Sequence, residues 1–468
     1  MCGIAGIISK KSEMDNSSTE ELLTHFQYAL YHRGPNDRGK WFEPWFGCAH
    51  VRLSIVDVAG GQQPMYDTNE KKIGIVYNGE IYNYKELRAE LVSLGHHFNT
   101  DSDTEVVLKL YVEYGPASFE KLNGMFSFCI WDYYINTTFL VRDPMGIKPL
   151  YIYEDDEHLI FSSELKVLLS IPGVDLTLDP RGFQDYLFFR YIHAPYTLFK
   201  NIYRLTAGHY IKFQRKSASI HKYWDVEYKP DNSLKIEDIK EEILYTLDEI
   251  VKSQLMGEVP IGTLLSGGID SSTISYFLHK NNAKLKTFNI GYKEVNEFEY
   301  SREIAQQFNL DHIEVLTTSD DFIDDFHKIA MHLDEPIADP ACFPLYVLCE
   351  ELKKHVTVVL SGEGGDELFA GYPQYEKTLK VSGSLQQKFS AFLSNSYYYY
   401  NAHTFMRSKD YIYNNNRLRK YFDNNGTLNG MLAFDLKTWV PEDLMMKTDK
   451  IMMAHSLEGR FPFLDKRI

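Results

Sequence analysis

The spacing of hydrophobic positions changes once along the chain. Up to about residue 215, short apolar runs recur at 3–8, 74–77, 126–131, 138–141 and 158–162, with the length and residue types of strands. Asn78-Gly79, Asn123-Gly124 and Pro144-Met145-Gly146 separate them as turn signals. Three stretches carry helical spacing instead, at 19–31, 84–94 and 103–114. Strands with helices laid outside them predict a layered α+β domain over residues 2–215. Beyond it the pattern alternates: 236–255 helical, 259–265 β, 273–279 helical, then β runs at 287–291, 312–315 and 356–360. Alternation of this kind predicts an α/β domain, a parallel doubly wound sheet, over residues 236–468. The polar stretch 225–237, with Pro230, Asp231 and Asn232, carries the boundary, and the connecting segment is expected at 216–235. The aromatic run Tyr397 to Tyr400 is read as helix packing, and the tail beyond Asp435 as a helix followed by a turn.

Composition narrows the function classes. With 468 residues, two to four domains of about 100–200 residues each are expected. A formal net charge of -16 argues against nucleic acid and anionic membrane as partners, since both need a basic face. Five scattered cysteines, Cys2, Cys48, Cys129, Cys342 and Cys349, show no metal-ligand spacing, and a reducing cytoplasm is the simplest setting. There is no signal-peptide pattern and no apolar run long enough to span a bilayer.

Cys2 follows the initiator Met, whose removal leaves an α-amine beside the thiol. That amine has an ordinary pKa of about 7.7–8.0, so it can serve as the thiol's own base. Alone, Cys2 reads equally as a small hydrophobe on a buried strand. Its neighbours change that reading. Asn78-Gly79-Glu80, placed in a turn at a strand end, offers a side-chain amide and a backbone N–H for an oxyanion hole, or a plain hairpin turn. Arg52 suits an α-carboxylate, or is a snorkelling surface side chain. Asp103 suits an α-ammonium, or caps a helix. Arg with Asp is the pair that recognition of a free amino acid requires.

Read together, Met1-Cys2-Gly3-Ile4-Ala5-Gly6, His32-Arg33-Gly34-Pro35, Arg52-Leu53-Ser54, Asn78-Gly79-Glu80, Ser102-Asp103, Arg142-Asp143-Pro144-Met145-Gly146-Ile147-Lys148-Pro149 and Phe161-Ser162-Ser163-Glu164 resemble the glutaminase domain of class II glutamine amidotransferases. The resemblance implies an N-terminal nucleophile fold, an αββα sandwich. In it Cys2 attacks the glutamine amide and Asn78 and Gly79 hold the oxyanion. Arg52, Leu53, Ser54, Ile55, Val56, Glu80 and Asp103 bind glutamine, with Arg52 and Asp103 gripping its amino-acid end.

Leu264-Leu265-Ser266-Gly267-Gly268-Ile269-Asp270-Ser271-Ser272 lies between a β run and a helix. Glycines let backbone approach a phosphate, and the helix start supplies free N–H groups. The ending of a Walker loop is absent. A second glycine cluster, Ser361-Gly362-Glu363-Gly364-Gly365-Asp366-Glu367, follows another β run. In a doubly wound sheet both sit at the carboxyl edge, where Asp270 and Asp366 can share a Mg2+ on pyrophosphate oxygens; solvated acidic turns are the bland alternative.

This pair of loops, with Lys447-Thr448-Asp449-Lys450 and Pro462-Phe463-Leu464-Asp465, resembles the ATP-pyrophosphatase domain of the asparagine synthetase family. The resemblance implies ATP as substrate with Mg2+, aspartate as acceptor, and asparagine, glutamate, AMP and pyrophosphate as products. By matching position, Leu264, Ser266, Gly267, Gly268, Asp270, Ser271, Ile290, Ser361 and Gly362 contact ATP. Glu363 acts as a proton acceptor, and Lys450 neutralises charge at the reacting phosphate, unless it is a solvated helix lysine. A homodimer is implied as well. Phe461 stands where a smaller aliphatic residue is usual, and the family pattern runs past Ile468, so an incomplete second domain is expected. Residues 334–340 lie where the acceptor should approach; a sugar acid or a peptide carboxylate is the alternative acceptor. A catalytically silent protein of this fold conflicts with the presence of Cys2, Asn78, Asp270, Glu363 and Asp366.

Overall fold

The structure is a computed structural model, and it describes residues 2–214, 216–231, 233–281, 285–395 and 416–468. The tyrosine run at 397–400 lies outside the described residues. The first half is built on two six-stranded antiparallel sheets. One runs in the order Ile202–Arg204, Tyr151–Glu154, His158–Ser162, Cys2–Ser9, Phe46–Arg52, Asp37–Glu43. The other runs Ser217–Lys222, His209–Gln214, Thr137–Arg142, Gly124–Asp132, Ile73–Ile81, Met65–Tyr66.

Both faces of each sheet are covered, which is why these strands read as continuous apolar runs rather than alternating ones. Side chains alternate along a strand. Ile4 and Ile8 point inward to Val76, Cys129, Leu140 and Ile211 of the facing sheet. Ala5 and Ile7 point outward to Leu23, Phe26 and Leu30 on the Asn16–Leu30 helix. Helices Tyr84–Ser93 and Asp103–Tyr114 cover the outer face of the other sheet through Leu87, Leu91, Val106 and Leu110. This is the four-layer αββα sandwich expected.

Two details correct the sequence reading. Asn78-Gly79-Glu80 is not a turn but the interior of the Ile73–Ile81 strand, with Asn78 opposite Ser127 and Gly79 opposite Phe126. Glycine is required there by packing: a Cβ on Gly79 would lie 2.2 Å from the Met125 carbonyl oxygen. The expected connecting segment 216–235 contains the edge strand Ser217–Lys222, so the second sheet extends to Lys222. That strand is largely exposed and polar, and gave little hydrophobic signal.

The second half holds five parallel strands in the order Asp311–Thr317, Lys286–Tyr292, Ile261–Leu264, Val358–Leu360, Glu458–Arg460. The chain starts the sheet in its middle and reverses direction between Ile261–Leu264 and Val358–Leu360, which creates a topological switch point at their carboxyl ends. Among the described residues, no helix is long and apolar enough to cross a membrane.

The halves share one apolar core. Leu53, Ile55, Met125, Met145 and Ile147 of the sandwich pack with Val358, Leu360, Val440, Leu444, Met445 and Phe461 of the second half. Buried ion pairs flank it. Arg204, on a sandwich strand, lies 3.1 Å from Glu335 Oε2 and 3.2 Å from Glu442 Oε2. Asn123 donates to both oxygens of Asp465 at 3.1 Å. Removing one partner of a buried pair leaves an unpaired charge and destabilises by about 3–5 kcal/mol. Arg204→Met is therefore expected to lower the free energy of unfolding in urea by that amount; a loss below about 1 kcal/mol would contradict the interface role.

Candidate active site

Cys2 opens the strand Cys2–Ser9 of the first sheet. Cys2 lies opposite Arg52 in the sheet and shares its inward face with Ile4, so it is directed at the Ile73–Ile81 strand. Its backbone nitrogen donates to Asn78 Oδ1 at 3.0 Å. The Asn78 amide nitrogen lies 3.5 Å from Ser127 Oγ. Burial pushes the Cys2 thiol above its ordinary pKa, opposed by the nearby N-terminal charge and a hydrogen bond from the Leu53 backbone.

Cys2 shares one cavity with Arg52, Leu53, Ile55, Val56, Gly79, Glu80 and Asp103, all predicted from sequence. Two predicted residues stand outside its lining. Asn78 is fully buried behind Cys2, and Ser54, whose N–H donates to Asn36 Oδ1, faces the wider mouth between the halves. Arg52 is 4% exposed, which rules out a surface snorkel. Its guanidinium is aimed by the carbonyls of Val56, Asp57 and Val58 at 3.2, 2.6 and 3.2 Å. Gly61 makes room for it: a Cβ there would lie 2.3 Å from Nη2.

Asp103 is not the helix cap. Ser102 caps the Asp103–Tyr114 helix, and Asp103 Oδ2 accepts from Tyr77 Oη at 2.8 Å and from the Ile81 N–H at 3.0 Å. Burial raises its pKa despite those bonds, so an arriving ammonium is its natural counter-charge. Tyr77, Gln63 and Gly61 belong to this cavity and were missed. Their only sequence signal was proximity to named motifs.

The second site forms at the switch point. The helix Ile269–Lys280 starts directly after Ser266-Gly267-Gly268, four residues earlier than expected, so Asp270 and Ser271 fall in its first turn. Gly267 has φ +88°, which favours glycine. Ser266 and Ser271 hydroxyls lie 3.0 Å apart, and Ser266 Oγ accepts from the Gly268 N–H. The loop after Val358–Leu360 packs on this helix start: a Cβ on Gly362 would lie 2.8 Å from Ser271 N, and one on Gly365 2.5 Å from Asp270 Cγ. Leu264 and Ile290 are half-buried at the carboxyl ends of adjacent strands. Asp270 and Asp366 are drawn together; burial raises both pKa values, and the Asp366 charge raises Asp270 further.

Glu363 accepts from Thr448 Oγ1 at 2.9 and 3.2 Å. Burial raises its pKa, and Lys447 pulls the other way. Lys450, expected at the reacting phosphate, is not a solvated helix lysine. Its ammonium is fully buried and engaged by Tyr151 Oη at 3.0 Å, the Leu333 carbonyl at 2.8 Å and the Asp334 carboxylate. Lys447, on the same Met445–Ala454 helix, lies beside the second glycine loop: Nζ donates to Asp339 Oδ2 at 2.7 Å, with Glu363 its largest favourable charge.

A buried cysteine at the start of an αββα sandwich, joined to paired glycine loops at a parallel-sheet switch point, fits a two-domain glutamine amidotransferase. Residues 1–224 match the glutamine amidotransferase domain family, and residues 242–468 match asparagine synthase. The chain is 35% identical to asparagine synthetase [glutamine-hydrolyzing] 1 of Bacillus subtilis, over all of this chain and 80% of the relative. It is 30% identical to asparagine synthetase [glutamine-hydrolyzing] 3 of the same organism over all of this chain and 80% of that one. Against asparagine synthetase B of Escherichia coli it is 31% identical over 81% of this chain and 66% of that one. The chain belongs to the glutamine-hydrolysing asparagine synthetase family.

The two lysines separate experimentally. Lys447→Met, if this lysine balances charge at the phosphate, is expected to cut ammonia-supported AMP release per folded molecule by about 10²–10³-fold, the range for one preorganised charge-stabilising donor, and, because it strands Asp339, to lower the thermal midpoint as well. Lys450→Met, which strands Asp334, is expected to lower the thermal midpoint first. The larger loss of AMP release per folded molecule in Lys450→Met would place Lys450 at the phosphate instead.

Proposed function

We propose that the chain makes asparagine: it releases ammonia from glutamine at Cys2 and delivers it to aspartate activated by ATP. One observation carries the coupling. Leu53 and Ile55 wall the Cys2 cavity and belong to the same apolar core as Leu360, the residue before the Ser361-Gly362-Glu363 loop. Ammonia crossing that core meets no water, and so keeps its lone pair.

At the first site the α-amine of Cys2, freed by loss of Met1, takes the thiol proton; Asn78 Oδ1 already holds that nitrogen. Sγ attacks the amide carbon, and the carbonyl oxygen, now an oxyanion, turns to the Asn78 amide and the Gly79 N–H. Ammonia leaves with the returned proton, and water cleaves the thioester to glutamate. Arg52 and Asp103 hold the α-carboxylate and α-ammonium, which fixes the amide over Sγ.

At the second site an aspartate carboxylate oxygen attacks the α-phosphorus of ATP and pyrophosphate leaves, because a bare carboxylate is a poor electrophile. The glycine loops with Ser266 and Ser271 receive the phosphates, while Leu264 and Ile290 offer apolar contact to the nucleotide. Asp270 and Asp366, two half-buried carboxylates that repel each other, would hold Mg2+, which neutralises the leaving pyrophosphate when bound. Ammonia then attacks the acyl carbon, Glu363 accepts its surplus proton, AMP departs, and Lys447 balances the charge. In this reading the glutaminase unit ends after Ser217–Lys222, the synthetase unit starts near Ile236, and the enzyme is a cytoplasmic homodimer, as the family resemblance suggests.

Cys2→Ala is expected to abolish glutamine-supported asparagine formation while ammonia-supported formation with aspartate stays within about twofold. Loss of both, or of neither, would overturn the two-site assignment. AMP release that does not require aspartate would overturn the acceptor.

A further inference from the structure

The backbone of the nucleophile is gripped from the far side. Arg33, fully buried in the turn Tyr31–Arg33, donates from Nε to the carbonyl oxygen of Cys2 at 3.0 Å. Two carboxylates hold that guanidinium. Its Nη1 donates to Glu164 Oε1 at 3.0 Å, within the same sandwich domain. Its Nη2 lies 2.9 Å from Asp449 Oδ2, which belongs to the Met445–Ala454 helix of the other domain. Asp449 Oδ1 accepts from Lys148 Nζ at 3.2 Å. Asp449 itself is 2% exposed.

We propose that Asp449 is a positioning residue for the glutaminase: acting across the domain interface through Arg33, it sets the orientation of Cys2. The proposal rests on the reading of Cys2 as nucleophile. Three features support it. A guanidinium is a rigid planar fork, so fixing Nη1 and Nη2 fixes the direction of Nε and with it the Cys2 carbonyl. The cluster is closed to solvent, so no water replaces a missing carboxylate oxygen. Thr448, the residue next to Asp449, is bonded to Glu363, so the same helical turn is anchored in the ATP site. The glutaminase geometry is therefore completed by the synthetase half, and Asp449 touches neither glutamine nor Sγ.

A nucleophile displaced by about 1 Å costs about a hundredfold in rate. In the full chain, Asp449→Asn, which keeps size and removes charge, is expected to lower the kcat of glutamate release by about tenfold to a hundredfold. The KM for glutamine should stay within about twofold, because Arg52 and Asp103 are untouched. Asp449→Glu should restore part of the rate. Since Asn at this position leaves Arg33 and Lys148 with excess charge, the charge-balanced double variant Lys148→Met with Asp449→Asn is measured beside it, with ammonia-supported AMP release as the check on folding. Loss of glutaminase kcat in the double variant, with ammonia-supported turnover kept, supports the proposal. Unchanged glutaminase kcat in both variants, with Cys2→Ala inactive on glutamine, overturns the proposal and leaves the nucleophile intact. Parallel loss of both activities and of thermal midpoint also overturns it, because Asp449 is then only structural. A Cys2→Ala variant that still hydrolyses glutamine would overturn the underlying reading instead.

Discussion

Four consecutive polar side chains, Lys447, Thr448, Asp449 and Lys450, are buried on one helix, and each needs its own partner. Burying an ion is tolerable only when it is paired and hydrogen-bonded. Here the partners lie in different directions: Asp339 for Lys447, Glu363 for Thr448, Arg33 and Lys148 for Asp449, Asp334 and Tyr151 for Lys450. Several of them belong to the sandwich domain. The helix can satisfy its charges only with both domains in place, and so the relative position of the two active sites is tied to a requirement of solvation.

That requirement suits the chemistry. Ammonia is useful only while it stays neutral and close to its acceptor. The apolar core from Leu53 and Ile55 to Leu360 excludes water, and the ion pairs at its rim hold the domains against it. In the proposed function the Cys2 cavity recognises glutamine, and Arg52 and Asp103 are preset for it by backbone carbonyls, Tyr77 and the Ile81 amide. The site proposed for the phosphates is built from backbone, since glycines at 267, 362 and 365 let two loops and a helix start converge. Different chemistry is thus served by side chains at one end and by main chain at the other.

Much of this was legible in the sequence because the chemistry-bearing residues sit in short, ordered motifs. Cys2, Arg52 and Asp103 fall in one cavity, and both glycine loops lie at the switch point of a parallel sheet. The rest failed for physical reasons. Asn78-Gly79 has turn chemistry, yet its glycine serves close strand packing against Met125 and Phe126, which no local pattern reveals. Lys447 and Lys450 are three residues apart on a helix buried on every side. Such a helix has no polar face to set its phase, so the sequence could not say which partners each lysine faces. The pairing of Arg33 with Asp449 joins residues far apart in the chain and leaves no local trace.

The central claim is that the two sites are joined by a closed apolar passage, and nitrogen tracing tests it most directly. Glutamine labelled with heavy nitrogen on its side-chain amide is supplied with ATP, aspartate and an equal concentration of unlabelled ammonium, and the label in the product amide is read by mass spectrometry. The account predicts product carrying nearly all of its amide nitrogen from glutamine. Label diluted to the proportion present in bulk solution would contradict it, because the ammonia would then have passed through water.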